Sequence, residues 1–260
     1  MLFPIIDKVA FYIGPFEIKW YALAYVVGIL AGCYISLKIV KKFDLNFSYQ
    51  KIDDYVTWLI LGIIIGGRMG YVLIYDPIKY FSKPIEILKI YEGGMSFHGG
   101  FIGCAIATYL FCKKYSTDFL KLCDLVVIVA PIGIFFGRIA NFINSELYGR
   151  VTDVPWAIIF PYSDNLPRHP SQLYEALLEG IVIFIVMLYC TFKKKLIYKT
   201  GTLTSIFCFL YGLFRFITEI FREPDFHLGF ILGYLSMGQI LSIPMLIIGI
   251  YIFQRIKNDN

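Results

Sequence analysis

Seven long apolar runs dominate the sequence and restrict what the chain can fold into. Each is close to the roughly 20 residues that a helix needs to cross the hydrocarbon core of a bilayer. The chain is 58% hydrophobic, with a mean hydropathy of +0.68, which excludes an ordinary soluble domain. We therefore predict an all-α, polytopic membrane protein with about seven transmembrane helices. The runs begin near Trp20, Tyr55, Met95, Lys121, Gln172, Gly201 and Met237.

The basic residues between these runs predict the orientation, because cytoplasmic loops carry the excess of lysine and arginine. Alternate connections hold thirteen of them on one side and eight on the other. The richer side includes the C-terminus, so we expect the C-terminus in the cytoplasm and the N-terminus outside. The lysine clusters lie between apolar runs and form no stripe with aromatic residues, so no nucleic acid partner is expected. The N-terminus lacks a basic n-region, which argues against a cleavable signal peptide.

The connection at about 142–171 is the longest on the predicted outer side. It contains four prolines and two aromatic stretches and is too apolar for a flexible linker. We predict that it packs as a small outward-facing cap or interfacial segment. The whole chain, 1–260, is expected to form one integral-membrane domain.

Local signals mark helix contacts and one helix start. Gly62, Gly66 and Gly70 recur at fourfold spacing, which is typical of closely packed membrane helices. A Ser-x-x-Gln capping box from Ser236 to Gln239 predicts the start of the last span. The six cysteines show no Cys-x-x-Cys or Cys/His metal spacing and are interpreted as small buried hydrophobic residues. Neither a metal nor a cofactor is expected.

Three arginines fall inside the apolar runs or at their mouths, namely Arg68, Arg138 and Arg215. The predicted topology places them at the outer ends of the second, fourth and sixth spans. A charged side chain near the bilayer centre costs about 3 kcal/mol even on the mild translocon scale, so such residues predict a functional site. Two structural alternatives stay open. Arg215 could simply pair with Glu219 at i+4, and Arg68 could pair with a neighbouring helix.

The stretch GRIANFINSELYGR, residues 137–150, is unusually polar for the end of a span. On a helix Asn141 lies three residues after Arg138 and shares its face, and Glu146 follows within about two turns. Arg138 could reach the interface and pair there with Glu146. Such a contact needs no amides, however, and the segment also holds Asn144. We therefore favour a polar cavity open to the outer leaflet.

The segment GGMSFHGG contains two further candidates, Ser96 and His98. A serine nucleophile on an elbow would need Gly-x-Ser-x-Gly, but the fifth position here is His98, so a serine-hydrolase site is weakly supported. His98 is a better candidate for a general base than His169 or His227, although a structural histidine remains an alternative. Together the arginines, amides, carboxylate and histidine describe a cavity for a phosphate, and the nearest phosphate at membrane depth is a phospholipid head group.

The stretch at 137–150 resembles the signature G-R-x-G/A-N-F-x-N-x-E-x-x-G of the bacterial prolipoprotein diacylglyceryl transferase family. Other stretches are similar to that family in the same order along nearly the whole chain. They are WYALAY at 20–25, GGRMGYVLIY at 66–75, GGMSFHGGFIG at 93–103, RHPSQLYEALLEG at 168–180, FRFITEIFREPD at 214–225 and SMGQILSIPM at 236–245.

This resemblance implies a multi-pass enzyme of the bacterial inner membrane with its active site towards the outer leaflet. It would transfer the diacylglyceryl group of phosphatidylglycerol to the lipobox cysteine of a prolipoprotein, the first step of lipoprotein maturation, forming a thioether and releasing glycerol phosphate. The family's region between Gly149 and Arg168 is often longer than here. The resemblance marks Tyr21, His98, Arg138, Asn141, Glu146, Gly149, Arg215 and Glu219.

The residues suggest roles in that reaction. Charge accumulates on the departing phosphate, so we assign Arg138 to stabilise it and Arg215 as a second clamp. The attacking sulfur must be a thiolate, and His98 is the first candidate for its base, with Tyr21 second. A lipid or anion transporter using the same arginines and an intramembrane serine protease using Ser96 remain alternatives. The residues expected to bind phosphatidylglycerol are Arg68, Arg138, Asn141, Glu146, Gly149 and Glu219.

Overall fold

The computed structural model describes residues 1–4, 6–74, 77–89, 94–161, 163–224 and 234–258, with the side chains of Phe97 and His98 outside that description. Most of the described chain is helical. The helices are α1 (Trp20–Phe43), α2 (Tyr49–Ile74), α3 (Pro77–Ser82), α4 (Phe97–Tyr115), α5 (Phe119–Ile143), α6 (Ser171–Glu175), α7 (Ile183–Phe192), α8 (Thr202–Thr218) and α9 (Met237–Asn258). Short strands are β1 (Val9–Ile13), β2 (Phe16–Lys19), β3 (Ile158–Ile159) and β4 (Pro167–Arg168).

Five helical stretches among the described residues are long and apolar enough to cross a membrane. They are α1, α2, α5, α9 and the continuous run Ser171–Phe192, in which a π-helical segment, Ala176–Val182, joins α6 to α7. The remaining two predicted runs form α4, with 19 residues, and α8, with 17 residues. The prediction of an all-α membrane protein is confirmed at this level. The number seven and the orientation stay predictions.

The chain divides into two compact units. The first unit comprises Met1–Ser36 and Cys123–Asn260, and the second comprises Leu37–Leu122. The second unit consists mainly of α2 packed on α4.

Glycines allow α2 and α4 to approach closely in the second unit. A Cβ placed on Gly62 would lie 2.7 Å from Gly103 O, and one placed on Gly70 would lie 2.7 Å from the Cα of Gly99. A Cβ placed on Gly66 would lie 2.4 Å from Gly99 O and 2.7 Å from the Cα of Gly103. The close packing predicted from the fourfold glycine spacing is therefore confirmed.

Small residues have the same effect in the first unit. A Cβ on Gly28 of α1 would lie 3.1 Å from the Cα of Gly133 of α5. A Cβ on Gly249 of α9 would lie 2.8 Å from the main-chain nitrogen of Phe209 in α8, and the Ser205 hydroxyl donates to Gly249 O at 2.8 Å. Close contacts and hydroxyl hydrogen bonds replace the hydrophobic effect, which does not hold helices together inside lipid.

Side-chain caps begin the two last helices. Asp124 of α5 is buried, and its carboxylate accepts hydrogen bonds from the main-chain nitrogens of Gly201 at 2.6 Å and Thr204 at 2.7 Å, where α8 starts. At α9, Ser236 N donates to Gln239 Oε1 at 3.0 Å, while Gln239 N donates to Ser236 Oγ at 3.2 Å. This reciprocal pair confirms the predicted capping box.

The connection at 142–171 packs against its own aromatic residues. Phe160 is fully buried, stacks on Tyr148 with ring centroids 5.4 Å apart, and meets the edge of Phe142 at 6.0 Å. β3 pairs with β4 in antiparallel register, Ile158 opposite Arg168. The connection is therefore packed, and its position as an outward-facing cap stays a prediction.

Candidate active site

Helix α5 carries Arg138 and Asn141 three residues apart near its C-terminal end. Asn141 is buried, at 5% exposure, and the Arg138 side chain is 16% exposed. The partners of Arg138 come from a different helix. Arg138 Nη1 lies 3.1 Å from Glu175 Oε2, and Arg138 Nη2 lies 3.3 Å from Glu179 Oε2.

One helical run presents two glutamates to the arginines. Glu175 ends α6 and Glu179 lies inside Ala176–Val182, and both carboxylates are 0% exposed. Residues four apart are neighbours on a helix surface, so the two carboxylates share one face. Gly180 keeps this segment against α5, because its Cβ would lie 2.7 Å from that of Phe135. Such π segments are frequent at functional sites.

Helix α8 supplies the second arginine. Arg215 Nη1 donates a short hydrogen bond to Glu175 Oε1, and Arg215 Nη2 lies 2.7 Å from Glu219 Oε2. The Thr218 hydroxyl donates to Glu179 Oε1 at 3.2 Å. Arg222, just beyond α8, lies 3.8 Å from Glu175 Oε1. We call the whole set the arginine–glutamate cluster: Arg138, Glu175, Glu179, Arg215, Glu219 and Arg222.

The cluster balances its own charge. Three arginines and three glutamates cancel formally when all are ionised, and the arginine side chains are only 16%, 13% and 11% exposed. Glu175 is its centre, because all three arginines lie within 3.8 Å of its oxygens. Ionised groups removed from water need this kind of pairing, since an unpaired buried charge costs several kcal/mol.

Tyr21 lies in α1, which belongs to the same compact unit as the cluster. Its ring contacts that of Tyr25 with centroids 5.2 Å apart, one turn farther along α1. The candidate role of Tyr21 in the transfer stays a prediction.

The polar residues after α5 form a tight turn and leave Glu146 outside the cluster. Ser145 and Leu147 adopt φ of 57° and 58°, a left-handed conformation uncommon for residues other than glycine. The main-chain oxygen of Glu146 accepts a hydrogen bond from Gln172 Nε2 at 2.6 Å, while its side chain is exposed. No ion pair between Glu146 and Arg138 occurs within the described part of the chain, so the pairing considered above has no support.

Two amide oxygens near this turn are buried acceptors. Asn144 Oδ1 and Gln172 Oε1 receive no hydrogen bond from the residues that the structure describes. Buried polar atoms normally have a partner, so these two acceptors can take a donor that the described residues do not supply.

Gly149 is required for close main-chain contact. It pairs with Arg222 in an antiparallel bridge, and its main-chain nitrogen donates to His169 O at 2.8 Å. A Cβ here would lie 2.5 Å from Phe221 O and 2.7 Å from His169 O. These are main-chain atoms that cannot rotate away.

Gly149→Ala should therefore destabilise the protein by about 1 to 3 kcal/mol, the usual range for overpacking, and shift Arg222 away from Glu175. Thermal unfolding in detergent measures the loss. Gly137→Ala is the control in the same stretch, because no atom lies within 4 Å of its added Cβ and alanine favours a helix over glycine. Equal melting temperatures for the two variants would contradict the steric explanation.

Arg168 stabilises the connection at 142–171. Its guanidinium donates to both oxygens of Asp164, at 3.1 and 2.6 Å, to Gly149 O at 3.0 Å and to Glu223 at 3.0 Å. The hydrogen bonds from Arg168 hold the pKa of Asp164 below its usual value. Burial likewise lowers the pKa of the adjacent His169. Arg168 thus joins the outer connection to the strand-like residues beside Arg222.

The second unit holds the two other predicted site residues. His98 is the second residue of α4, but its side chain lies outside the described residues. Arg68 is buried in α2 at 4% exposure, and its described hydrogen bonds all go to main-chain oxygens. The structure therefore gives Arg68 an environment quite different from that of Arg138.

Three members of the cluster had not been selected from the sequence: Glu175, Glu179 and Arg222. The first two carry a recognisable signal, since they are glutamates four residues apart inside an apolar run. Ionisable residues in a membrane helix predict function whatever their sign. Among the described residues, no group of three or more His, Cys, Asp or Glu is placed to hold a metal ion.

Comparison with known proteins gives one consistent result. The family model for prolipoprotein diacylglyceryl transferase matches residues 8–255. A phosphatidylglycerol–prolipoprotein diacylglyceryl transferase of Rickettsia rickettsii is 56% identical over 252 residues, covering 97% of each chain. Its counterpart in Rickettsia typhi is 55% identical over 258 residues, covering 99% of this chain and all of the relative. A match over nearly the full length at this identity makes the chain a member of the prolipoprotein diacylglyceryl transferase family.

Proposed function

We propose that the chain transfers the diacylglyceryl group of phosphatidylglycerol to the lipobox cysteine thiol of prolipoproteins, forming a thioether and releasing glycerol phosphate. The observation that supports this function most directly is the arginine–glutamate cluster. In it the guanidinium groups of Arg138 and Arg215 lie against the same carboxylate, that of Glu175, inside an apolar helical protein. Arginine binds phosphate oxygens bidentately, and membrane depth restricts the phosphate to a lipid head group. The chain is thus a membrane transferase that uses lipid as donor.

Arg138 and Arg215 would stabilise the departing phosphate. The thiolate sulfur attacks the glyceryl carbon, the bond from that carbon to the phosphate oxygen breaks, and the oxygen keeps the electron pair. Cations held in place before the reaction stabilise the charge that develops there. His98 is the first candidate for accepting the thiol proton, and Tyr21 the second.

The charge balance of the cluster governs how a phosphate could bind. Adding a phosphodiester anion to three arginines and three glutamates leaves an excess negative charge. Either one arginine must divide its N–H donors between a glutamate and the phosphate, or one of the glutamate carboxylates must take up a proton. Glu175, which Arg138 and Arg215 both contact, is the carboxylate that a phosphate on these two arginines would face.

The residues around the turn after α5 would receive the glycerol part of the head group. Asn144 Oδ1 and Gln172 Oε1 are buried acceptors with no donor among the described residues, and glycerol hydroxyls can supply donors. Asn141 lies on the face of Arg138. Gly149 and Glu219 would act indirectly, Gly149 by placing Arg222 and Glu219 by orienting Arg215. Glu146 would contribute its main-chain oxygen to this turn.

We also propose seven spans, with α4 and α8 added to the five long apolar stretches. The distribution of lysine and arginine supports an outer N-terminus and a cytoplasmic C-terminus. In that orientation the cluster faces the outer leaflet of the bacterial inner membrane, where secreted precursors emerge. The chain would act as one domain, with 142–171 as its outer cap.

The decisive experiment is a mass measurement. Purified protein in vesicles containing phosphatidylglycerol should add one diacylglyceryl group to a synthetic lipobox peptide, and a peptide with serine in place of cysteine should stay unchanged. An unmodified cysteine peptide would favour the alternative in which the arginines bind a phosphate for transport only. Ser96→Gly should retain activity, because Ser96 Oγ serves as the cap of α4, accepting a hydrogen bond from Gly99 N at 3.2 Å, and glycine replaces a serine cap at a cost of only a few tenths of a kcal/mol. Its complete loss would favour the protease alternative.

A further inference from the structure

Arg68 is a buried arginine to which the proposed reaction assigns no step. Its guanidinium binds four main-chain oxygens, in contrast to the carboxylates around Arg138. Nε donates to Ile87 O at 2.8 Å, Nη2 to Glu86 O at 2.6 Å and Lys89 O at 3.4 Å, and Nη1 to Gly94 O at 3.1 Å. The guanidinium also lies 5.0 Å from the centre of the Tyr80 ring. All three guanidinium nitrogens therefore already donate to main-chain oxygens.

The four oxygens lie on both sides of residues 90–93, immediately before α4. Three belong to the turn that ends at Lys89, and the fourth belongs to Gly94. Gly94 has φ of +78°, and a Cβ there would lie 2.7 Å from Arg68 Nη1. Close approach of the guanidinium to the chain therefore requires glycine at this position. Arg68 thus ties together the two ends of the segment that enters α4.

The residue next to Arg68 holds the start of α4 itself. Gly67 O accepts a hydrogen bond from Ser96 N at 2.8 Å, and Ser96 is the N-cap of α4. His98 is the second residue of that helix. The dipeptide Gly67–Arg68 therefore binds Gly94 and Ser96, and so determines where the main chain places His98.

We infer that Arg68 is a positioning residue, which fixes the His98-bearing first turn of α4 and does not bind phosphate. This inference rests on the proposed function, because it matters only if His98 takes part in the transfer. The planar fork with five N–H donors is essential, since a lysine ammonium cannot span four oxygens with this separation.

The test compares the kinetics of Arg68→Lys with those of the wild-type protein on the lipobox peptide. We expect kcat to fall by about tenfold to a hundredfold, the loss associated with misplacing a reacting group by about 1 Å. KM for phosphatidylglycerol should stay within about twofold, because no phosphate contact is lost. The pH profile of kcat should also move, since the surroundings of His98 change. A purely structural defect would lower the active fraction without moving that profile.

Lys79→Gln is the matched control. Lys79 contacts the same Tyr80 ring at 5.3 Å and Glu86 at 3.6 Å, but its side chain is 52% exposed and it does not bridge the two ends of the segment. Its kinetics should match the wild type. If Arg68→Lys does not fold, Gly94→Ala tests the same contact by displacing the guanidinium, and it should show the same drop in kcat.

A rise of KM with unchanged kcat in Arg68→Lys would overturn the inference in favour of a phosphate ligand. Wild-type rates with an unchanged pH profile would overturn it as well. A different result would contradict the proposed function itself: wild-type protein and Lys79→Gln would both leave the peptide mass unchanged.

Discussion

Arg138→Lys is expected to lower the rate of diacylglyceryl transfer by about 100-fold to 1,000-fold, the usual loss when one preorganised donor to a developing anion is removed. The guanidinium reaches Glu175 through Nη1 and Glu179 through Nη2. A lysine keeps the charge but offers a single nitrogen, so it cannot hold both carboxylates and still present a donor to phosphate. Peptide mass spectrometry over a time course measures the rate.

Arg255→Lys provides the control for the same chemical change at an exposed position near the end of α9. It should transfer lipid at the wild-type rate. The kinetics of Arg138→Lys should show the loss mainly in kcat if the fork acts on the departing phosphate. Wild-type kcat in Arg138→Lys would rule out this role for Arg138.

Glu175→Gln is expected to lower the free energy of unfolding by about 3 to 5 kcal/mol, the usual cost of removing one partner from a buried ion pair. Its carboxylate is 0% exposed and within 3.8 Å of three arginines. Glutamine keeps the size of the side chain and removes the charge, which leaves three arginines against Glu179 and Glu219. Denaturant titration of the detergent-solubilised protein, followed by tryptophan fluorescence, measures the change.

Glu223→Gln serves as the control for this prediction. Glu223 also pairs with an arginine, 3.0 Å from Arg168, but its side chain is 46% exposed. Exposed pairs contribute about 0 to 1 kcal/mol, so the variant should unfold close to the wild type. Equal stability of Glu175→Gln and Glu223→Gln would show that the cluster does not depend on its central carboxylate. A phospholipid supplied to Glu175→Gln should restore part of the lost stability, because phosphate can replace the missing negative charge.

The sequence and the structure agree most closely on features set by neighbouring residues. The sequence predicted the capping box at Ser236 and Gln239. It also predicted the glycine face of α2 formed by Gly62, Gly66 and Gly70. Both features depend only on residues within a few helical turns of each other. The ion pair from Arg215 to Glu219 was predictable for the same reason. It was considered as a structural alternative to a phosphate site, and the structure shows that both residues belong to the larger cluster.

Features set by distant residues were not predictable in this way. Glu179 lies 41 residues from Arg138, and Glu175 lies 40 residues from Arg215. The spacing of the two glutamates puts them on one face of a helix, but no local pattern reveals which distant arginines that face meets. Arg68 and Arg138 look alike in the sequence, as arginines near the end of an apolar run. Their described partners differ, because Arg68 binds carbonyl oxygens and Arg138 binds carboxylates. On this difference we infer a positioning role for Arg68 and keep Arg138 as the candidate for binding phosphate.

The sequence by itself determined the membrane class, the approximate limits of the helices and the family resemblance, because hydropathy, charge and motif order are properties of short stretches. The tertiary structure alone decided which charges meet. It joined Arg138, Arg215 and Arg222 to Glu175, Glu179 and Glu219, and it left the Glu146 side chain exposed. The physical reason is that an ion pair requires two side chains within about 4 Å, and that distance depends on helix packing and rotation rather than on spacing along the chain.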